Sequence, residues 1–322
     1  MRLSIESLNK YSKSTGFRPE ILEKVSILLS WLDKATKNSK SEYQWILKGG
    51  TAINLFFFDL PRLSVDIDIN FLGCIDRTEL NLKREDFENN VENICLEEKL
   101  SIRNKRSSEA ATSYSLRYDS VMGAGGNLKV DISYMFRLPL YENELLKAKS
   151  VFFQSMKSVP VMNRNEVFAS KLTAAFSRNA ARDLFDISQF VKNIESFDLD
   201  KIRLGFIVFG AMNRKNWLEI NEETIKINVQ EIEHQLIPLL KKNLSETEKE
   251  MLHKDIETSI KRAKNILLPF ADNESKFLRE LNVNGEIKPE LLTTSDDLIK
   301  KIKNHPQLKW KALNVKKHFG KS

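Results

Sequence analysis

Cysteine is nearly absent from this chain of 322 residues: Cys74 and Cys95 are its only two. Two thiols cannot lay down a disulfide framework, and neither sits in a CxxC or Cys/His spacing that a structural zinc site needs. A chain of this length buries a core large enough to fold without such staples. Long apolar runs are also lacking. None approaches the ~18 residues of a membrane span, and the opening stretch, MRLSIESLNKYSKSTG, has no signal-peptide core. There is no Gly-x-Ser-x-Gly elbow and no Walker-type P-loop, which removes the classes of enzyme that depend on them. The four histidines are scattered, none at metal-ligand spacing. These absences lead to the expectation of a soluble, cytoplasmic protein with no membrane partner.

Glycine is scarce and unevenly placed. Seven of the 11 glycines fall in the first 126 residues. Glycine marks turns and close backbone approach, so its thinning afterwards predicts long helices with short connections. Ile21, Leu22, Val25, Leu28, Leu29 and Leu32 repeat at helical spacing behind Pro19. SVDIDINFL (64–72) alternates with period two, a strand signal. Residues 79–100 read as a charged amphipathic helix, and LSIRNKR, TSYSLRYDSV and NLKVDISYMF as three further strands, the last two separated by the VMGAGG turn. From Arg164 the pattern is helical. Two domains are therefore expected: 1–162, α/β, with an N-terminal helix, and 163–322, helical with a basic end.

The sharpest chemistry is Asp66-Ile67-Asp68. On a strand, residues i and i+2 share a face, so the two carboxylates project together about 7 Å apart. Neighbouring carboxylates repel unless a cation lies between them, and Mg²⁺ favours such hard oxygen donors together with substrate phosphates. A solvated polar face on an edge strand is the competing explanation. Asp131, in KVDISY, lies on another period-two strand, and a strand beside the first would bring it to the same metal ions. Upstream, Lys48-Gly49-Gly50-Thr51 precedes a helical run. A Gly-Gly turn there presents backbone N–H groups to a phosphate, with no Cβ to block the approach. A phosphate-binding turn, a DxD strand and a third Asp form a layout suited to metal-assisted nucleotidyl transfer.

The order KGGTA, then Arg62, Ser64, Asp66 and Asp68 as R-x-S-x-D-x-D, then VDI at Asp131, resembles the nucleotidyltransferase superfamily. Within it the chain is similar to the AbiEii/AbiGii-type toxin family, also known through the MenT toxins. EVFASKLTAAFSRNAARDLFDI (166–187) is similar to that family's lysine-bearing helix followed by an R-D-x-x-D helix, with Lys171, Arg182, Asp183 and Asp186 on the pattern. The HPQLKWK segment (305–311) resembles the ending common in these toxins. The resemblance covers about residues 46–315. It departs in having Gly50-Thr51 where the superfamily has Gly-Ser, and in the fifteen residues between Gly50 and Asp66.

The resemblance implies an α+β fold: a nucleotidyltransferase-like mixed-sheet domain with a mainly helical C-terminal domain. It implies an NTP substrate with Mg²⁺ or Mn²⁺, an RNA acceptor, since MenT-like members extend tRNA 3′ ends, and a cognate antitoxin. Asp66 and Asp68 are then metal ligands, and Asp131 is a third ligand or the base for the acceptor hydroxyl. Lys48, Gly49, Gly50, Thr51, Arg62 and Ser64 would contact the nucleotide. Ser64 has two other readings, a modification site or a hydroxyl satisfying local backbone. Lys171 is either a point charge for the triphosphate or a snorkelling surface lysine. Arg182, Asp183 and Asp186 are nucleotide contacts, an intrahelical charge set, or a network that holds Lys171; Asp183 also reads as a helix N-cap. Arg178 reads as surface, His305 as structural, and Phe56, Phe57, Phe58, Phe185 and Phe190 as core.

The formal charge is +7, from 51 basic and 44 acidic residues. No acid follows Asp297, and residues 298–322 carry eight lysines with Trp310, His318 and Phe319. The rest of the chain is close to neutral. Clustered lysines follow a phosphate backbone and aromatics stack on unpaired bases; a solvated terminal helix has the same composition. Two other functions fit the sequence: nucleotidylation of a protein or small molecule, and a non-catalytic RNA-binding toxin partner.

Overall fold

Helix α1 (Ile5–Thr15) starts at Ser4, whose hydroxyl accepts from the Ser7 amide. Helix α2 (Pro19–Lys37) begins with Pro19 in its first turn and buries Leu22, Val25, Leu28, Leu29 and Leu32, the residues spaced at 3.6 in the sequence. The computed structural model describes residues 2–38, 44–72, 74–149, 156–240, 244–318 and 320. Its fold is α+β. Two units divide the chain: the first is Met1–Arg137, Asn143–Met162 and Ile237–Leu244, and the second is Leu138–Glu142, Asn163–Leu236 and Ser245–Ser322.

The first unit holds a seven-stranded mixed sheet in the order β3-β4-β5-β2-β1-β7-β6. Its strands are β1 (Trp45–Lys48), β2 (Asp66–Phe71), β3 (Ser101–Ser107), β4 (Ala111–Tyr118), β5 (Gly126–Ser133), β6 (Glu144–Leu146) and β7 (Val159–Val161). Strand β1 runs antiparallel to β2 and parallel to β7. Strand β2 runs parallel to β5, while β3, β4 and β5 form an antiparallel meander. Strands β2 to β5 fall in the four segments that the sequence marks as strands, whereas β1, WILK, buries three residues in a row and shows no alternation. Strands β6 and β7 carry three residues each, too few to show a period.

Parallel pairing of β2 with β5 requires a long crossover. Helix α3 (Gly49–Ala52) precedes β2; between β2 and β5 lie helix α4 (Arg77–Glu97) and the β3–β4 hairpin. The Asp76 side chain caps α4 by accepting from the Thr78 and Glu79 amides at 2.8 and 3.0 Å. Leu80, Phe87, Val91, Ile94 and Cys95 form its buried face, and the Phe87 ring lies 5.0 Å from that of Phe71 on β2. Glu88, also buried, accepts from Arg84 Nε at 2.7 Å, Thr112 Oγ1 at 2.7 Å and Tyr134 OH at 2.8 Å, with Lys105 Nζ at 2.9 Å. Burial alone raises a carboxyl pKa. These donors outweigh it and bring Glu88 down to about 2.

The meander alternates cleanly. Tyr114, Leu116, Leu128, Val130 and Ile132 are buried, whereas Ser115, Arg117, Asn127 and Lys129 are exposed. One face therefore meets the core and the other meets solvent, as antiparallel sheets permit.

The second unit is helical, with no strand among its described residues. It contains α5 (Arg164–Arg178), α6 (Ala181–Lys192), α7 (Leu199–Ala211), the one-turn α8 (Val229–Glu231), α9 (Glu246–Leu267), α10 (Asp272–Arg279), α11 (Asp296–Asn304) and α12 (Pro306–His318). Aromatic rings interlock in its core: Phe168 with Phe190 at 5.5 Å, Phe176 with Phe206 at 5.3 Å, and Phe206 with Trp217 at 5.2 Å. His305 is buried, and its Nδ1 accepts from the Gln307 amide at 3.2 Å. The basic end is thinner as a surface than its composition suggests. Lys311 turns inward to donate to the Asn213 carbonyl at 2.8 Å, and burial pulls its pKa down to about 8. Lys301 bonds Asp297 at 2.8 Å. Trp310 and Leu313 are exposed; Phe319 lies outside the described residues. No described helix is long and apolar enough to cross a membrane.

Candidate active site

Strand β1 ends at Lys48, and the chain turns there into α3, which continues as a wider helical turn, Ile53–Phe57. The turn depends on Gly49, whose φ is +72°. A Cβ on Gly49 would stand 2.4 Å from Asp68 Oδ2, and one on Gly50 would stand 3.0 Å from both Arg62 Nη2 and Ser64 Oγ. The Gly-Gly turn is thus packed directly on the DxD strand and on the two residues ahead of it. Thr51 Oγ1 donates to the Asp66 carbonyl, and Asn54 Nδ2 donates to the Gly50 carbonyl at 2.9 Å. The first bond ties the start of the helix to the start of β2; the second closes the Gly-Gly turn on its own helix. Arg62 is 2% exposed, and its Nη1 donates to the Leu63 carbonyl at 3.1 Å. Ser64 is buried beside it.

Sheet register assembles the rest. Lys48 on β1 pairs with Asp68 on β2, and Asp68 pairs with Asp131 on β5. Two pairs along, Asp66 faces Lys129. The pleat puts Asp66, Asp68, Lys129 and Asp131 on one face and Ile67, Val130 and Ile132 on the other. Burial of the Lys48 ammonium lowers its pKa, and the charges of Asp68 and Asp131 push it the other way. Its Nζ lies 5.3 Å from the centre of the Phe136 ring. Lys129 Nζ bonds Asp131 Oδ2 at 2.6 Å, which raises the lysine pKa, with Asp66 and Asp68 adding to the effect. Asp131 is therefore engaged by a cation of the protein. Among the described residues no three His, Cys, Asp or Glu side chains close on a single cation point.

A second cluster lies within the second unit. Lys171 on α5 is buried, not at the surface, and its Nζ stands 2.9 Å from Asp183 Oδ1 and 3.0 Å from Asp186 Oδ2, both on α6. Asp183 also accepts from Arg178 Nε at 2.7 Å and Nη2 at 3.1 Å. Burial pushes the Asp183 carboxyl up, but Lys171 and Arg178 dominate and take it down to about 2. The left-handed residue Asn179, at φ 56°, ends α5 and reverses the chain so that α6 lies against it. Asp183 is not the N-cap of α6; Ala180 is. Arg182, on the neighbouring position of α6, is half-buried.

Of the residues singled out from sequence, Lys48, Gly49, Gly50, Thr51, Arg62, Ser64, Asp66, Asp68 and Asp131 meet in the first unit, and Lys171, Asp183 and Asp186 meet in the second. Two partners were not anticipated. Arg178 reads as surface, and its side chain is indeed 64% exposed, yet its guanidinium holds Asp183. Lys129 stands two residues before Asp131 on the same strand face, a spacing that was visible in the alternation itself.

A model of the family described as "Nucleotidyl transferase AbiEii toxin, Type IV TA system" matches residues 32–275. No curated protein sequence matches. Among solved structures the chain is similar to MenT4, a nucleotidyltransferase toxin from Mycobacterium tuberculosis H37Rv. The two share 13% identity at a TM-score of 0.61, over 95% of this chain and 99% of that one. At that identity the likeness is one of fold.

Proposed function

The chain belongs to the AbiEii family of nucleotidyltransferase toxins of type IV toxin–antitoxin systems, and from that premise we propose that it transfers a nucleoside monophosphate from an NTP to an RNA acceptor, the 3′ end of a tRNA. The observation that carries this reading is the single row Lys48–Asp68–Asp131 across three adjacent strands, with the Gly49 backbone pressed against Asp68. In it, a Gly-Gly turn stands directly against a set of hard oxygen donors.

Asp66 and Asp68 are the residues that would hold a divalent cation, Mg²⁺ or Mn²⁺, with Asp131 as third ligand or as base for the attacking hydroxyl. The chemistry of the donors suits such an ion: two carboxylates at i and i+2 on one strand face, with no sulfur or imidazole among them. When bound, the ion supplies charge to the non-bridging oxygens of the α-phosphate. The Gly-Gly turn admits the triphosphate closely because neither residue has a Cβ. Arg62 and Ser64 flank that turn, and Lys48 sets a positive charge beside Asp68. Lys129 offsets the charge of Asp131. For Lys171 the role is the one the resemblance implies, a point charge for the triphosphate, kept in place by Asp183 and Asp186.

A cognate antitoxin is the proposed protein partner, and the proposed location is the cytoplasm. The test is incubation of the full chain with each labelled NTP, Mg²⁺, bulk tRNA and cell lysate. Label at the 3′ end of tRNA, lost with Asp68→Asn, is the expected outcome. Label confined to protein bands overturns the RNA acceptor.

A further inference from the structure

The row that joins Lys48, Asp68 and Asp131 does not stop at Asp131. Strand β4 places Ser113 opposite Asp131, and β3 places Arg106 opposite Ser113. Five strands therefore present one continuous line, Arg106–Ser113–Asp131–Asp68–Lys48, across one face of the sheet, open at the Arg106 end and with the Lys48 ammonium buried at the other. A parallel line runs Asn104–Ser115–Lys129–Asp66. From Arg106 to Asp68 is three strand spacings, about 14 Å at ~4.8 Å each.

The part of this face beyond Asp131 has one charge sign. Strands β3, β4 and β5 contribute Arg103, Arg106, Arg117 and Lys129, all exposed, and the only acid is Asp131 itself. Between them stand Ser113, Ser115, Asn104 and Asn127, side chains that donate hydrogen bonds. The aromatics of β3, β4 and β5, Tyr114 and Tyr118, are buried on the other face. Arg117 is held flat: a Cβ on Gly125 would meet its guanidinium at 2.6 Å, so the arginine lies along the β4–β5 turn. Arginines on an exposed edge strand also guard against edge pairing. That accounts for Arg103 and Arg106 on β3, but not for Arg117 and Lys129, which are one and two strands further in.

We propose that this open face of β3–β4–β5 is where the acceptor RNA docks by its phosphodiester backbone. The inference rests on the RNA reading of the function above and gives the site two sides. The nucleotide enters on the Lys48 and Gly49 flank of Asp68. The acceptor lies on the Asp131 flank, its phosphates on Arg103, Arg106 and Arg117, its terminal hydroxyl led along the Ser113 row to Asp131. Recognition is by charge and backbone shape, without base stacking, because the face offers guanidinium and hydroxyl donors and no rings.

The experiment is a fluorescence-anisotropy titration of 5′-labelled bulk tRNA with the full chain between 50 and 200 mM salt. It compares wild type, Arg106→Ala/Arg117→Ala, and the helix α12 variant Lys309→Ala/Lys316→Ala/Lys317→Ala. NTP binding is followed separately by the thermal shift with Mg²⁺ and NTP. The expected result is that the arginine pair weakens RNA binding about tenfold and lowers the slope of log affinity against log salt by about 1.5. Its NTP-induced shift stays as in wild type, and the α12 variant binds RNA within twofold of wild type. Ser115→Glu, an exposed single change on the same face, weakens RNA binding in the same direction and decides the matter if the double variant does not fold. Binding by the arginine pair and by Ser115→Glu equal to wild type overturns the docking face and leaves the RNA reading intact. Failure of wild type to bind any RNA overturns both.

Discussion

Gly49 and Asp68 compete for one volume. The position of a Gly49 Cβ is 2.4 Å from Asp68 Oδ2, and Gly49 adopts a φ of +72°. Sterics and backbone thus both require the absence of a side chain at this point. The carboxylate at the centre of the row is set by what the neighbouring residue lacks.

Gly49→Ala therefore has two costs. The left-handed backbone costs about 1–2 kcal/mol with a Cβ present, and the clash moves Asp68. A shift of that size at a reacting centre lowers transfer about 100-fold. Gly123, at φ +98° with nothing within 4 Å of its Cβ position, is the control. Gly123→Ala has the backbone cost and keeps its activity. Chemical denaturation and a tRNA-labelling assay on both variants separate the two effects.

Asp68→Asn removes a donor while changing little in volume. Transfer falls by at least the roughly 100-fold that loss of an outer partner costs a metal site, with the fold retained. Lys48 responds as well. Burial already lowers its pKa and Asp68 opposes that, so the variant lowers it further. An amine-reactive probe then labels Lys48 at a lower pH than in wild type. Unchanged labelling and unchanged transfer would remove Asp68 from the site.

Lys171→Met leaves Asp183 and Asp186 buried without their shared ammonium. Breaking a buried pair from one side costs about 3–5 kcal/mol. Urea denaturation of the variant reads this directly. Adding Asp186→Asn in the same chain restores part of the loss, since one uncompensated charge is gone. If the double variant is less stable than Lys171→Met, the ion set does not hold α5 to α6.

Glu166 gives a pH signature. Its carboxylate accepts from the Leu140 amide at 3.1 Å and the Tyr141 amide at 3.2 Å, yet burial raises its pKa to about 7. The folded state holds the proton more tightly than the unfolded one. Its contribution to stability is full below the ordinary carboxyl value of 4.5 and is lost as pH rises through about 7. At 1.36 kcal/mol per unit this is about 3 kcal/mol. Glu166→Gln keeps an acceptor oxygen and has no such slope. The stability difference, wild type minus variant, falls between pH 4.5 and 8 when melting is followed across that range.

Much of the first unit was legible because its strands have one wet and one dry face. Alternation in DIDINF and NLKVDIS gives the faces of Asp66, Asp68 and Asp131 directly. It does not give register, so nothing in the sequence says that Asp131 falls opposite Asp68 rather than Asp66. Nor does it reveal that Ser113 and Arg106 extend the row, since those pairings join residues far apart in the chain. Strands β6 and β7 are too short to alternate. In the second unit, helical spacing places Lys171 on α5, but its burial depends on the reversal at Asn179. The same reversal gives Arg178 a partner that its own exposed position does not suggest.

The pleat that separates Asp131 from Val130 and Ile132 also acts as a safeguard. A slip of β5 by one residue would drive Lys129 and Asp131 into the core and turn the apolar side chains outward. A chain misassembled in this way is not a weaker enzyme; it is one that has not folded. The same alternation that aims Asp131 at Asp68 thus ties the site's geometry to the burial of Val130 and Ile132.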